Sequence, residues 1–235
     1  MSAPPKIGED RAVVLAASYP SRDYRSKADS HEIAAAVKAL AGAIFQRGWV
    51  LVFGGHPSVS PLVLMIAREY GQKNRVMIYQ STYFANHMGP ATLALAREGF
   101  GEIVPVPHVP SEMPPPPSEP VDPTKCPESL SAMRKKMMNH SGVSALVLVG
   151  GDIGLRQELD LFCNTHTSLP IIPIGAPGGI AKELIPESRV PGMEETLHLG
   201  LAQSRNYFTL CTKIVRYLSV LPSDQNRPDV FRGSR

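Results

Sequence analysis

The chain has 235 residues, of which 43% are hydrophobic and 19% are charged, and its formal net charge at pH 7 is +3. This composition is typical of a globular protein and excludes an intrinsically disordered chain. The small charge and the scattered basic residues argue against a nucleic-acid partner. No apolar run approaches the roughly 20 residues that cross a bilayer, so we expect no membrane partner either.

Cysteines, histidines and the first residues bear on metal binding and on the compartment. Cys126, Cys163 and Cys211 are odd in number and widely spaced, which predicts neither a disulfide framework nor a metal site. The seven histidines also lack the spacing of metal ligands. The opening residues, MSAPPKIGEDR, lack the apolar core of a secretory signal. We therefore expect a cytoplasmic protein without a bound metal.

Continuous apolar runs alternate with helical patterns along most of the chain. Such runs, without polar alternation, are typical of strands that are buried on both faces of a parallel sheet. The order of strand, helix and strand predicts an α/β fold, a doubly wound and mainly parallel sheet with helices on both faces. The predicted strands are 12–18, 49–53, 75–79, 103–106, 145–149 and 170–174.

The predicted helices follow these strands. Asp29 with Glu32 three residues later is a capping signal for the first helix, and Gly48 marks its end. The other predicted helices are about 60–70, 128–140 and 154–163, a short one after Gly179, and a long one at about 196–221.

A proline-rich segment interrupts this order. Ten of the 23 prolines lie between residues 105 and 127, four of them in a row at 114–117. Proline lacks a backbone donor, so the segment is predicted to be a loop. Because the strand and helix pattern resumes after it, we expect one domain over 11–222, with flexible tails at 1–10 and 223–235. The loop is either a lid over a site or a surface insertion without a role.

Polar and glycine-rich turns follow the predicted strands. Ligands of open parallel sheets bind outside the carboxyl ends of the strands. A glycine pair at such an end lets backbone amides face an anion, and the next helix adds its positive end. We therefore expect a phosphate site, although glycine after a strand is often only turn chemistry. The candidate residues of these turns are Ser18, Arg22, Gly54, Gly55, His56, Pro57, Ser58, Gly150, Gly151, Asp152 and Gly154.

Charged residues next to the later turn extend the candidate site. Glu158 lies one helical turn after Gly154, where its carboxylate either accepts ribose hydroxyls, acts as a general acid or base, or is simply solvated. Arg134 and Lys135 precede the fifth strand and either grip a phosphate or form an exposed basic face. For His56, contact with a ligand is favoured over catalysis.

Two common nucleotide motifs are missing from the sequence. The first predicted strand is not followed by G-x-G-x-x-G, and no G-x-x-x-x-G-K-[ST] occurs. The sequence therefore argues against a classical NAD-dependent dehydrogenase and against a P-loop NTPase, and we expect no cofactor.

The segments together resemble the SLOG superfamily, the Rossmann-like nucleotide-binding domains related to LOG and Smf-DprA proteins. LOG enzymes carry an arginine-lysine pair on a helix, then a strand, then P-G-G-x-G-T-x-x-E. Here Arg134-Lys135 matches the pair, Gly150-Gly151 and Gly154 match the glycines, and Glu158 matches the glutamate. The segments GWVLVFGGHPSVSPLVLMIA and VVLAASYPS are similar to the family's second and first strands with their turns. The resemblance spans most of residues 12–185 and implies a Rossmann-like fold.

Departures from the LOG pattern bear on function. The turn is one residue longer, Leu155 replaces the threonine, and Val149 replaces the proline. The longer turn and the G-G-H-P-S loop look more like SLOG domains found beside TIR or sirtuin effector domains in bacterial antiphage defence. That resemblance implies a sensor for a nucleotide-derived signal such as cyclic ADP-ribose. It also implies a homodimer or larger homo-oligomer, and leaves room for a separate effector protein.

The resemblance assigns roles under each hypothesis. In a sensor, the glycine amides hold phosphate, Arg134 and Arg22 neutralise it, Glu158 binds ribose hydroxyls, and His56 or Asp152 contacts the sugar or base. In a LOG-type phosphoribohydrolase, Glu158 and Arg134 are catalytic residues that cleave the N-glycosidic bond of a nucleoside 5′-monophosphate. A structural subunit with a vestigial pocket is a third interpretation.

Overall fold

A six-stranded parallel sheet forms the centre of the molecule. The structure, a computed structural model, describes residues 11–19 and 28–221. The sheet order is β4-β3-β2-β1-β5-β6, and all five neighbouring pairs are parallel. The doubly wound α/β prediction is confirmed. The strands are β1 Ala12–Ser18, β2 Val50–Gly54, β3 Val76–Ser81, β4 Glu102–Val106, β5 Val143–Gly150 and β6 Ile171–Ile174.

The strand order changes direction between β1 and β5. After β1 the chain builds outward through β2, β3 and β4, and then returns to place β5 on the other side of β1. The two strands run in register to their ends, where Ser18 pairs with Gly150. The helices that follow such neighbouring strands lie on opposite faces, which leaves a crevice at the carboxyl edge of the sheet.

Helices cover both faces and enclose two hydrophobic clusters. The first cluster packs α1, α2 and α8 on one face and includes Phe45 and Phe53. The second packs α4, α5 and α6 on the other face and includes Phe162. The helices are α1 Ser30–Gln46, α2 Ser60–Glu69, α3 Pro90–Arg97, α4 Pro127–Met138, α5 Ile153–Thr165, α6 Ile180–Glu183, α7 Glu195–Gln203 and α8 Tyr207–Val220. No helix of the described ranges is long and apolar enough to cross a membrane.

Two parts of the helical prediction differ from the structure. The single helix predicted at about 196–221 is wrong, because α7 ends at Gln203 and α8 begins at Tyr207. Asn206 starts the second helix, since its side-chain oxygen accepts a hydrogen bond from the Thr209 amide at 3.2 Å. The sequence analysis also missed α3 and the 3₁₀ turn Thr82–His87 before it.

Both outer strands of the sheet contain a proline. Pro105 lies within β4 and Pro173 within β6. Proline cannot donate a ladder hydrogen bond, so in sheets it is confined to edge strands and bulges. The sequence pattern and the topology agree on which strands are at the edges.

The proline-rich loop connects β4 to α4, and residues 107–122 form no helix or strand. It folds back onto the start of α4 through Glu112. The two carboxylate oxygens of Glu112 accept hydrogen bonds from the Glu128 and Ser129 amides at 2.8 and 2.9 Å. In return, the Ser129 hydroxyl accepts a hydrogen bond from the Val109 amide at 2.8 Å. The loop therefore supplies the cap of α4, which has none from its own preceding residue. The predicted tails, 1–10 and 223–235, lie outside the described residues.

Candidate functional site

A cavity of about 570 Å³ lies at the carboxyl edge of the sheet, beside the point where the strand order changes direction. This volume is within the range of about 300–1,000 Å³ that is usual for small-molecule sites. Its walls come from the ends of β1, β2 and β3, from α3, α4 and α5, and from the proline-rich loop.

Most of the sequence-predicted residues meet in this cavity. Four predicted residues do not line it. Ser58 and Lys135 are exposed on the surface, and Gly150 and Gly151 are buried inside the protein. Arg22 lies outside the described residues. The predicted residues that line the cavity are Ser18, Gly54, Gly55, His56, Pro57, Arg134, Asp152, Gly154 and Glu158.

Arg134 and Glu158 form an ion pair in the cavity wall. Arg134 Nε lies 3.3 Å from Glu158 Oε1, and the two side chains are only 14% and 15% exposed. The same guanidinium donates to Gln157 Oε1 at 2.7 Å, so α4 is tied to α5. Burial raises the pKa of Glu158, and the positive charge of Arg134 opposes that rise. Gly154 leaves room for the pair, because a β-carbon there would lie 3.3 Å from Arg134 Nη2.

The glycine pair after β5 is used inside the protein. The Gly151 amide donates to the Ser18 carbonyl at 2.8 Å, and the Gly151 carbonyl accepts from the Ile180 amide at 3.1 Å. These bonds join the ends of β1 and β5 to the start of α6. The Gly151 N–H therefore already has a partner within the protein, and the role of this pair in holding a phosphate stays a prediction.

Asp152 occupies the amino end of α5. Its side-chain oxygen accepts the Gly154 amide at 3.2 Å, and its carbonyl accepts the Leu155 amide at 2.9 Å. A carboxylate in this position is stabilised by the positive end of the helix and repels a second anion. The described residues that line this end of the cavity include one guanidinium, that of Arg134, and two carboxylates, those of Asp152 and Glu158. These carboxylates argue against an anion at the amino end of α5, and the phosphate role of this turn stays a prediction.

The turn after β2 also has its own internal contacts. The Gly55 amide donates to the Tyr79 carbonyl at 3.0 Å. A β-carbon on Gly55 would collide with the side-chain oxygen of Gln80, so the glycine makes room for that side chain. His56 Nδ1 accepts a hydrogen bond from the Ser58 amide at 3.3 Å, which places the imidazole proton on Nε2. Burial lowers the pKa of His56, and Asp152 partly offsets this, so the imidazole is neutral at pH 7.

Sequence analysis missed one side of the cavity, which is built by the end of β3, the 3₁₀ turn and α3. The residues concerned are Gln80, Phe84, His87, Met88 and Thr92. A polar run, Gln80-Ser81-Thr82, follows the third apolar strand and is the signal in the sequence that marks this position. No glycine motif or charged residue accompanies this run, so it does not resemble a phosphate-binding turn.

Two of these side chains carry buried polar atoms without partners. Gln80 is only 7% exposed, and its Oε1 has no hydrogen bond within the described part of the chain. His87 donates from Nε2 to the Glu119 carbonyl at 3.0 Å, while its buried Nδ1 has no partner among the described residues. Leaving a buried acceptor unpaired costs about 1–3 kcal/mol, so such atoms are uncommon in folded proteins.

The proline-rich loop contributes directly to the cavity wall. Val121 and Pro123 line it, and the bond from His87 to the Glu119 carbonyl holds the loop against the 3₁₀ turn. Residues of the loop therefore form part of the cavity wall, which favours the interpretation of the loop as a lid.

The sequence matches a family model over most of its length. That model is described as the SLOG cluster3 family, and it matches residues 23–211. A comparison with curated proteins finds no significant match. Among solved structures, the X-ray structure of TM1055, a structural-genomics target, is similar, with a TM-score of 0.49 and 16% sequence identity. The similarity covers 75% of this chain and 81% of that chain.

Proposed function

We propose, because the chain belongs to the SLOG cluster3 family, that its cavity binds a nucleotide-derived small molecule and that the protein acts as a sensor of it. The observation that carries this proposal is the Arg134–Glu158 pair inside the cavity beside the change of strand direction. Ligands of doubly wound sheets bind at such a point. The carboxylate of Glu158 accepts hydrogen bonds from ribose hydroxyls, and the guanidinium of Arg134 binds a phosphate.

The internal bonding of the glycine turns favours binding over hydrolysis. A phosphoribohydrolase needs donors that are already aimed at the phosphate and at the charge that develops in the transition state. The Gly151 and Gly154 amides have partners within the protein, and Leu155 presents an apolar side chain where LOG enzymes carry threonine. In this proposal the sugar and the base supply most of the recognition, and Arg134 supplies the contact with phosphate.

The setting of the sensor is also part of the proposal. The resemblance to SLOG domains beside TIR or sirtuin effectors supports a cytoplasmic role in bacterial antiphage defence. A separate effector protein would then respond to the bound state, and the sensor would act as a homodimer or larger assembly.

Ligand-induced stabilisation tests the proposal. The protein is incubated with nucleoside monophosphates, NAD, ADP-ribose and cyclic ADP-ribose, and its melting temperature is measured in each mixture. A ligand at 100 times its Kd stabilises the fold by about 2.7 kcal/mol, which corresponds to about 5–10 °C for a chain of this size. The proposal fails when no compound at millimolar concentration shifts the melting temperature.

A matched pair of variants locates the binding. Arg134→Ala removes the buried guanidinium and is expected to weaken binding at least about tenfold, since hydrogen bonds to charged groups contribute about 1.5–3 kcal/mol. Lys135→Ala removes the next residue, which is exposed and outside the cavity, and is expected to bind as the unchanged protein does. Equal losses in both variants would place the ligand elsewhere.

A LOG-type phosphoribohydrolase is the second candidate, and the raised pKa of Glu158 favours it. A carboxylic acid with a raised pKa is a suitable proton donor to a departing base. Chromatography of the same mixtures distinguishes the two functions. A ligand recovered intact supports the sensor, whereas release of base and ribose 5-phosphate, abolished by Glu158→Ala, establishes the hydrolase.

A further inference from the structure

We propose that the proline segment, residues 113–117 with the sequence Met-Pro-Pro-Pro-Pro, is a docking site for a partner protein. The partner carries an aromatic-lined groove with a basic rim, the kind of groove that binds a polyproline II helix. The segment belongs to the proline-rich loop, of which Val121 and Pro123 line the cavity. Docking on it needs no ligand in the cavity, so its test is independent of the proposed function.

Sterics determine the backbone of the proline segment. The proline ring holds φ at about −65°, and a residue that precedes proline is held at a ψ of about +120 to +160°. Each of residues 113–116 precedes a proline, and three of these four are prolines themselves. Such angles define the polyproline II helix, which has three residues per turn and rises about 3.1 Å per residue. The sequence therefore imposes more than one turn of this helix, and the structure has no α-helix or strand there.

The exposure of the segment follows the same period of three. Glu112 and Pro115 lie three residues apart and are both partly buried, so one edge of the helix faces the protein. The residues of the other two edges are exposed: Met113, Pro114, Pro116 and Pro117. A groove can therefore cover two adjacent apolar edges while the third edge stays on the protein.

The segment offers a groove both apolar surface and hydrogen-bond acceptors. Met113 is 83% exposed, the highest value among the large hydrophobic side chains of the described residues. Within the described part of the chain, no hydrogen bond reaches the carbonyls of Met113, Pro114 or Pro115. The aromatic residues of such grooves include tyrosine and tryptophan, whose polar hydrogens donate to carbonyls of this kind.

Bonds at both ends hold the segment in place. Before it, the Glu112 carboxylate accepts two amides at the start of α4, at 2.8 and 2.9 Å. After it, the Glu119 amide donates to the Pro116 carbonyl at 3.0 Å, and the Glu119 carbonyl accepts from His87. A segment that is already extended and anchored loses little conformational freedom when it binds, which favours affinity.

The charges of the loop indicate the rim of the partner's groove. Residues 107–122 contain three carboxylates and no lysine or arginine. Glu112 and Asp122 are bound to amides of the protein, whereas Glu119 is exposed two residues after the last proline of the run. Complementary charge across an interface favours the correct partner and speeds association. A basic rim therefore fits this segment, and an acidic rim does not.

Titration of the full chain with two purified domains tests the proposal. The probes are an EVH1 domain with a basic rim and an SH3 domain with an acidic rim, both of which bind polyproline II helices. We expect saturable binding of the EVH1 domain, at least about tenfold tighter than that of the SH3 domain because of its charge. No saturable binding of the EVH1 domain at millimolar concentration, or tighter binding of the SH3 domain, would overturn the proposal.

A matched pair of variants locates the contact. Pro114→Ala combined with Pro117→Ala removes two exposed rings and frees the backbone, and should weaken EVH1 binding at least about tenfold. Pro107→Ala combined with Pro110→Ala is the control, since both prolines are exposed, have the same spacing and lie in the same loop. The control should bind as the unchanged protein does. Equal losses in the two variants would contradict the assigned segment, and melting temperatures verify that each variant folds.

Discussion

Gly179 shows how a single residue allows two turns to pack closely together. Its φ of +68° and ψ of −166° belong to a region that is essentially restricted to glycine. A β-carbon on it would lie 2.6 Å from the Gly150 carbonyl carbon and 2.8 Å from the Gly151 oxygen. The turn after β6 therefore packs directly on the backbone of the turn after β5. This contact fixes the backbone that precedes Asp152.

Gly179→Ala is expected to destabilise the protein by about 2–6 kcal/mol, the sum of backbone strain and overpacking. Gly192→Ala is the matched control, because Gly192 has nearly the same φ, +69°, and a β-carbon on it would meet nothing within 4 Å. The control should lose only about 1–2 kcal/mol from the left-handed conformation. Urea denaturation of both variants measures the difference, and equal losses would show that the close packing contributes nothing.

The site residues were predictable only where a motif marks them. Arg134, Glu158 and the glycine turns follow from strand ends and from the family resemblance. Gln80 and His87 do not, because their place in the cavity wall depends on contacts across the sheet and with a distant loop. Gln80 meets Gly55 only because β3 pairs with β2, and His87 meets Glu119 only because the loop folds back. The sequence positions of these partners carry no periodic signal.

At the scale of elements, the join between the proline-rich loop and α4 is the feature that shapes the cavity wall. The Glu112 carboxylate accepts two amides at the start of α4, and the same helix carries Arg134. Burial opposes the charge of Glu112, but the hydrogen bonds from Ser129 and Glu128 outweigh this effect, so its pKa is lowered. The helix and the loop are thus fixed to each other by an ionised group.

Glu112→Ala is expected to lower the melting temperature by a few degrees at pH 7 and to speed proteolysis within residues 107–122. A lowered pKa stabilises the folded state above the ordinary value of 4.5, and this contribution is lost as the pH falls through the folded pKa. The difference between the variant and the unchanged protein should therefore shrink as the pH falls below about 5. Glu119→Ala is the control, because its backbone carbonyl, not its side chain, contacts His87.

Element boundaries were predictable to the extent that burial dictates them. The strands follow continuous apolar runs, since a strand covered on both faces has no polar position. The split between α7 and α8 was not predictable from periodicity, because both helices bury residues against the same cluster on one face. The helical periodicity is interrupted just before the Asn206 cap of α8, where no glycine or proline marks the break.

At the scale of the whole molecule, the sheet joins two hydrophobic clusters that share the same strands. Phe45 in α1 belongs to the cluster on one face, and Phe162 in α5 to the cluster on the other. Both are almost completely buried. Because β1 and β5 contribute alternate side chains to both clusters, we expect loss of packing on either face to destabilise the whole molecule.

Phe45→Ala and Phe162→Ala are each expected to destabilise the protein by about 3–5 kcal/mol. Thermal melting followed by far-UV and near-UV circular dichroism should show one coincident transition in both variants. Phe208→Ala, which removes a ring that is 66% exposed, is the control and should change the stability little. A separate early transition in either variant would contradict the prediction of a single domain over residues 11–222.

The prolines in the two outer strands set limits on self-association. An exposed strand normally offers a row of free donors and acceptors on which a second molecule can add its own strand. Pro105 interrupts that row in β4, and in β6 the row is shortened by Pro173 and by the Arg189 backbone, which pairs with Ile171. Copies of this chain are thereby discouraged from joining into a continuous intermolecular sheet. If the protein assembles as proposed, its subunits are expected to meet through helices, leaving the ligand-binding edges of their sheets as separate sites.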